Sequence, residues 1–103
     1  MTRVSWDERK RLAVIAARGV DFIDAAGIFE NPCFTREDRR RDYGEPRFIT
    51  VGESEGVHYV VVYTPRRTAD DEHVLHLITA WRAGRRTRQR YQDLLAGRAS
   101  GDA

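Results

Sequence analysis

Apolar positions recur at helical spacing in the first third of the chain and at strand spacing in most of the remainder. Leu12, Ile15 and Ala16 lie on one helical face, behind Ser5-Trp6-Asp7-Glu8. That tetrapeptide has the form of a capping box, with the serine hydroxyl accepting from the third helical N–H and the glutamate reaching back. Gly19 supplies the left-handed stop, so the pattern predicts a first helix over residues 6–18. Asp21 is the expected cap of a second helix whose apolar face is Phe22, Ala25, Ala26 and Phe29, ended by Asn31-Pro32.

From Cys33 onward β-branched and aromatic residues dominate. A strand is expected over Phe34 to Arg36, and Glu37 to Asp42 reads as a solvated loop or edge because of its charge. Arg47 to Val51 and Val57 to Thr64 form a hairpin about a turn from Gly52 to Gly56, and the second of these is apolar on both faces apart from His58, as a central strand would be. Pro65 to Asp71 is a polar loop, Glu72 to Ala80 a fourth strand, and Gly84 opens a last helix carrying Tyr91, Leu94 and Leu95. The expected fold is therefore α+β: two N-terminal helices, a four-stranded antiparallel sheet and a C-terminal helix. Residues 1–96 make one domain and 97–103 a frayed tail.

Composition narrows the class. At 103 residues, with 41% hydrophobic and 33% charged residues, the chain holds a single core. No apolar run approaches the roughly 20 residues of a membrane span, and the N-terminus lacks the layout of a secretory signal, so a cytoplasmic location and no membrane partner are expected. Cys33 is the sole cysteine, which rules out an internal disulfide and a thiolate cage. Net charge is only +2, yet Lys10 is the sole lysine among 18 basic residues. Arginine grips phosphate with paired donors, although a GC-rich genome would also enrich it.

In sequence order, Trp6-Asp7-Glu8 with Lys10, Gly19-Val20-Asp21-Phe22, Ala25-Ala26, Phe29-Glu30-Asn31-Pro32 and Tyr43-Gly44-Glu45-Pro46-Arg47 resemble the BrnT family of toxins. The likeness continues through Gly52, Val60-Val61-Val62-Tyr63-Thr64 and Ile78-Thr79-Ala80 to Ala83 and Tyr91. The resemblance implies a RelE-like fold and the toxin role in a type II toxin-antitoxin pair. It further implies endoribonuclease activity that blocks translation and needs no metal or other cofactor. The implied partners are RNA, a ribbon-helix-helix antitoxin and, only through that antitoxin, operator DNA; the resemblance also admits a toxin homodimer inside the complex. Departures from the family occur where Ala17 and Arg18 replace a lysine-histidine pair, where His76 and Trp81 replace two arginines, and where Thr87 replaces a glutamate. They keep a second reading open, a catalytically impaired binding module that pairs with its antitoxin to repress its own operon.

Metal-free RNA cleavage needs a base for the ribose 2′-hydroxyl, an acid for the leaving oxygen and cations on the transition state. Arg47, beside Glu45 in the matched motif, is the expected phosphate cation; a strand arginine merely paired with Glu45 is the plainer alternative. His76 is the expected proton carrier because imidazole titrates nearest neutrality, with Tyr91 as a second candidate and ordinary packing as the alternative for each. His73 and His76 differ by three positions on a strand and so face opposite ways, which argues against a three-histidine metal site with His58. RNA contacts are assigned to Lys10, Arg66, Arg67, Trp81, Arg82, Arg85 and Arg86, with Trp81 as a stacking platform. Arg88 and Arg90 extend the same basic cluster, whose other reading is a solvated face.

Overall fold

The computed structural model describes residues 2–99. Its elements in chain order are β1 (Val4–Trp6), α1 (Glu8–Arg18), α2 (Phe22–Ala25), a 3-10 turn (Ala26–Glu30), β2 (Cys33–Glu37), β3 (Phe48–Ser54), β4 (Val57–Arg67), β5 (His73–Arg82) and α3 (Arg85–Ala99). The five strands form one sheet in the order β1-β5-β4-β3-β2. The fold is α+β as expected, but the sheet has five strands and is mixed rather than four-stranded and antiparallel. β1 pairs in parallel with β5, through Val4 with Leu75, Ser5 with His76 and Trp6 with Leu77. Three residues are too few to show a period of two, so only the distant partner makes this strand visible.

β1 also corrects the first helix boundary. Pairing with β5 holds the backbone extended through Trp6, so the cap moves from Ser5 to Asp7, whose Oδ1 accepts from the Arg9 and Lys10 amides at 2.9 and 3.3 Å. Gly19 closes α1 as expected, at φ +66. Asp21 does cap the next segment, and it also takes the Arg11 Nε and Nη2 donors at 2.8 and 2.9 Å. That segment is one α-turn followed by a 3-10 turn rather than a continuous helix. Its tight end brings Ile28 onto β3, where only a glycine fits: a Cβ on Gly52 would stand 2.8 Å from Ile28 Cβ and 3.1 Å from Cys33 Cβ.

Gly52 therefore belongs to β3, and the hairpin turn shrinks to Glu55-Gly56, both at positive φ. β4 is longer than expected and carries Pro65, Arg66 and Arg67 inside the strand, where the last two pair with Val74 and His73. β5 likewise extends to Arg82. Between Val62–Thr79 and Tyr63–Leu77 the register slips, leaving Ile78 as an extra residue that bends β5. α3 continues through Ala99, so the expected tail is helical at residues 97–99; residues 100–103 lie outside the described residues.

The two faces of the sheet differ. One is sealed by α1, α2 and the 3-10 turn, with Val14, Phe22, Ile28, Val61, Leu77 and Ala80 in the main core. On the other, Ile49, Val60, Val62 and Ala83 form a smaller core with Val51, Ile78 and Trp81 packed against it. There α3 covers one end, where Phe34 and Tyr91 meet edge to face at 5.6 Å. The rest of this face is bounded by the connection from β2 to β3. Among the described residues, no helix is long and apolar enough to cross a membrane.

Candidate nucleic-acid site

The β2–β3 connection is solvated as its charge predicts, exposed at Glu37 and from Arg39 to Asp42, but it is braced at its base and turns Asp38 inward. The Asp38 amide donates to the Arg47 carbonyl at 2.7 Å, closing its base. Thr64, buried in β4 opposite His76, donates its hydroxyl to the Pro46 carbonyl at 2.6 Å and so ties Glu45-Pro46-Arg47 to the sheet. The Asp38 side chain is only 1% exposed. Burying a carboxylate is costly unless its oxygens are matched. Here they accept from Arg40 Nε and Nη2, both at 2.8 Å, from the Arg40 amide at 3.2 Å and from the Tyr43 hydroxyl at 3.1 Å. These donors, the Arg40 side chain foremost, hold the Asp38 carboxyl well below its ordinary range.

Tyr43, oriented by Asp38, provides the platform on which the Arg47 guanidinium lies, 4.0 Å from the ring centroid. Arg47 Nε is shut off from solvent and makes no hydrogen bond; Glu45 Oε2 stands 3.6 Å away. Arg66 approaches the other oxygen of Glu45 at 3.8 Å. On the same end of the sheet, His76 Nδ1 lies 3.0 Å from the Ser5 hydroxyl. Burial, and then the charge of Arg66, lower the His76 pKa below the ordinary 6.5, against the opposing charges of Glu45 and Asp7. The imidazole is thus neutral at pH 7. Four of the residues singled out from sequence, Glu45, Arg47, Arg66 and His76, are brought into one electrostatic neighbourhood.

Beside this cluster lies an open cavity of about 450 Å³ lined by Arg18, Arg40, Tyr43, Arg47, Thr79 and Trp81, among others. His76 is not part of its lining. Arg18 comes from the end of α1, reaching Thr79 Oγ1 at 3.2 Å and the Ala80 carbonyl at 3.3 Å, with its guanidinium 5.4 Å from the Trp81 ring centroid. At a position where the family resemblance has histidine, the chain places a cation beside Trp81, itself at a position where the family has arginine. Arg18, Asp38, Arg40 and Tyr43 were given no role by sequence reasoning. Arg18 and Tyr43 had a signal, as a departure and as a member of the matched motif; Asp38 and Arg40 had none, because a charged run does not reveal which member turns inward.

The remaining candidates stand elsewhere. Tyr91 is 2% exposed and donates its hydroxyl to the Pro32 carbonyl at 2.8 Å, between the rings of Phe34 and His58. Burial foremost raises its pKa above the ordinary 10. Lys10 is on α1, in the layer behind the sheet, and lines neither this cavity nor the one described below. Arg67 is paired with Asp71 at 2.6 Å at the end of β4. Arg82 and Arg85 are exposed, whereas Arg86 and Trp81 line a second cavity, between α3 and the sheet. Among the described residues, no group of three His, Cys, Asp or Glu side chains is placed to hold a metal ion.

Comparison with known proteins gives one family: residues 6–87 match the family described as "Ribonuclease toxin, BrnT, of type II toxin-antitoxin system". No curated protein matches the chain.

Proposed function

The chain belongs to the BrnT family of ribonuclease toxins of type II toxin-antitoxin systems, and from that premise we propose that it cleaves RNA without a metal ion on the open face of its sheet, through Arg47, Arg66 and His76. The family carries with it an antitoxin partner. We take that partner to be a ribbon-helix-helix protein through which the pair reaches operator DNA, as the sequence resemblance implies, and we place the activity in the cytoplasm.

The observation that carries the reading is Arg47. Its backbone is held on both sides, its guanidinium lies on Tyr43, and its buried Nε has no acceptor. The side chain also lines the open cavity, so an arriving phosphate oxygen meets a prepositioned cation there. Arg66, loosely engaged by Glu45, adds a second cation. His76, neutral at pH 7, is suited to accept the 2′-hydroxyl proton when its Nδ1–H is donated to Ser5 and Nε2 carries the lone pair. The 2′-oxygen then attacks phosphorus and the bond to the 5′-oxygen breaks. The 5′-oxygen takes up a proton from solvent, leaving a 2′,3′-cyclic phosphate and a 5′-hydroxyl.

The test is RNA cleavage by the purified chain in excess chelator, with the ends of the products identified. Cleavage is expected to persist, and a folded Arg47→Ala variant to lose roughly a hundredfold to a thousandfold in rate, as removal of a preorganised transition-state donor does. Undiminished cleavage by that variant removes Arg47 from the site. If the unmutated chain binds its antitoxin tightly and leaves RNA intact, the binding-module reading replaces this one.

A further inference from the structure

The second cavity, between α3 and the sheet, has a volume of about 550 Å³, within the range of roughly 300–1,000 Å³ that small-ligand sites occupy. It adjoins the first, because Arg40 and Trp81 line both. Its floor is apolar and partly aromatic, with Phe34, Val51, Trp81 and Leu94, and Leu94 is left 37% exposed at its edge. Its cations are Arg36, Arg40, Arg86 and Arg90, and no carboxylate belongs to the lining. A planar apolar surface ringed by guanidinium groups fits a ligand that is both a flat ring and an anion, which describes a nucleotide.

The lining chemistry goes further. Three hydroxyls complete its polar side chains: Tyr91 donates to Pro32, Thr35 shares a 2.7 Å hydrogen bond with Thr50, and Thr87 stands on α3. The other polar side chains are four guanidinium groups, which donate and cannot accept; of these, Arg40 already gives Nε and Nη2 to Asp38. Every base carries a donor on some edge, so the edge that suits this lining is one that offers acceptors alone. Guanine presents O6 and N7 side by side with no donor between them, the pair that an arginine takes with two donors.

We propose that this cavity is a base-reading subsite, which takes a guanine of the RNA strand next to the phosphate engaged by Arg47. The proposal rests on the cleavage reading for the identity of the strand, and it adds to that reading a determinant of sequence preference supplied by α3. Arg86 and Arg90, one helical turn apart, provide the donors from α3, and Trp81 provides the stacking surface shared with the cleavage cavity.

The experiment is titration of the purified chain with 5′-GMP, 5′-UMP, 5′-AMP, 5′-CMP and inorganic phosphate, followed by amide chemical shifts. It is paired with cleavage of short RNAs that vary one base at a time. GMP is expected to bind roughly fivefold to a hundredfold more tightly than UMP, AMP and CMP, the discrimination typical of a paired arginine–guanine contact. An Arg86→Ala/Arg90→Ala variant, altered only at exposed positions, should erase the preference, and Trp81→Phe should weaken all four nucleotides while keeping their order. Equal binding of the four nucleotides overturns the proposal, as does phosphate binding as tightly as the nucleotides. No saturable nucleotide binding also overturns it, and would follow if the groove served an acidic antitoxin segment instead. The two readings separate cleanly: preference in binding without any RNA cleavage sinks the cleavage reading alone, and cleavage with no base preference sinks the subsite alone.

Discussion

Tyr91→Phe asks whether the best-placed phenol of the sequence is a proton donor or a packing group. The change removes one oxygen and leaves the ring between Phe34 and His58, at centroid distances of 5.6 and 5.4 Å. What is lost is the 2.8 Å hydrogen bond to the Pro32 carbonyl, in a side chain 2% exposed. The carbonyl then has no replacement donor from the variant, a defect of about 1–3 kcal/mol. For a domain of this size each kcal/mol lowers the melting temperature by about 4–8 °C, so a fall of about 4–24 °C is expected in a thermal melt followed by circular dichroism. Cleavage measured well below both midpoints should stay within about twofold of the unmutated rate, since general acid catalysis, which contributes roughly a hundredfold or more, is not being removed. A melting temperature that does not move, together with a rate that falls a hundredfold, would refute this and make Tyr91 the donor to the leaving oxygen.

Other perturbations probe the cluster and its supports. His76→Ala should slow cleavage roughly a hundredfold or more; in the unmutated chain the acid limb of the rate profile should lie below pH 6.5, because the His76 pKa is lowered. Arg66→Ala should move that limb up by removing a repelling cation, and Glu45→Gln should move it down by removing an attracting anion; identical limbs in all three would exclude His76 as the titrating base. Asp38→Asn weakens the support of Tyr43 under Arg47 and should cost roughly tenfold to a hundredfold in rate, as small misplacement of a catalytic group does. In an Arg47→Ala background the same change should cost far less, and additive losses would break the link between the two residues. Gly52→Ala should destabilise the fold by about 1–3 kcal/mol through the clash with Ile28, read from urea midpoints, and an unchanged midpoint would show that the 3-10 turn gives way freely. Asp21 has a lowered folded pKa, so its contribution is fully present above 3.8 and fades as pH falls through the depressed value. Asp21→Asn should therefore flatten the stability curve in that acid range, and a curve of unchanged slope would argue that Arg11 does not hold the carboxylate.

What the linear sequence determined is whatever nearest neighbours along the chain decide. The glycine stop after α1, the Asp21 cap, the apolar β4 core and the motif Glu45-Pro46-Arg47 are local, because capping, left-handed turns and hydrophobic period depend on residues a few positions apart. The family likeness was legible for the same reason, as short motifs in fixed order. Tertiary structure decided the rest. Ser5 looks like a cap until β5 claims its backbone and its hydroxyl meets His76, 71 positions away. Arg66 reads as loop until β4 is extended by pairing with Val74, which sets it beside Glu45. Asp38 sits in a charged run that hydropathy assigns to solvent, yet the donors of Arg40 and Tyr43 make its burial affordable and thereby orient Arg47. Tyr91, whose chemistry invites a catalytic role, is spent on a carbonyl that only the packing of α3 over β2 brings within reach. In each case the residue type states what a side chain is able to do, and long-range pairing and burial choose its partner, because desolvation and hydrogen-bond matching are properties of a three-dimensional neighbourhood and not of a stretch of chain.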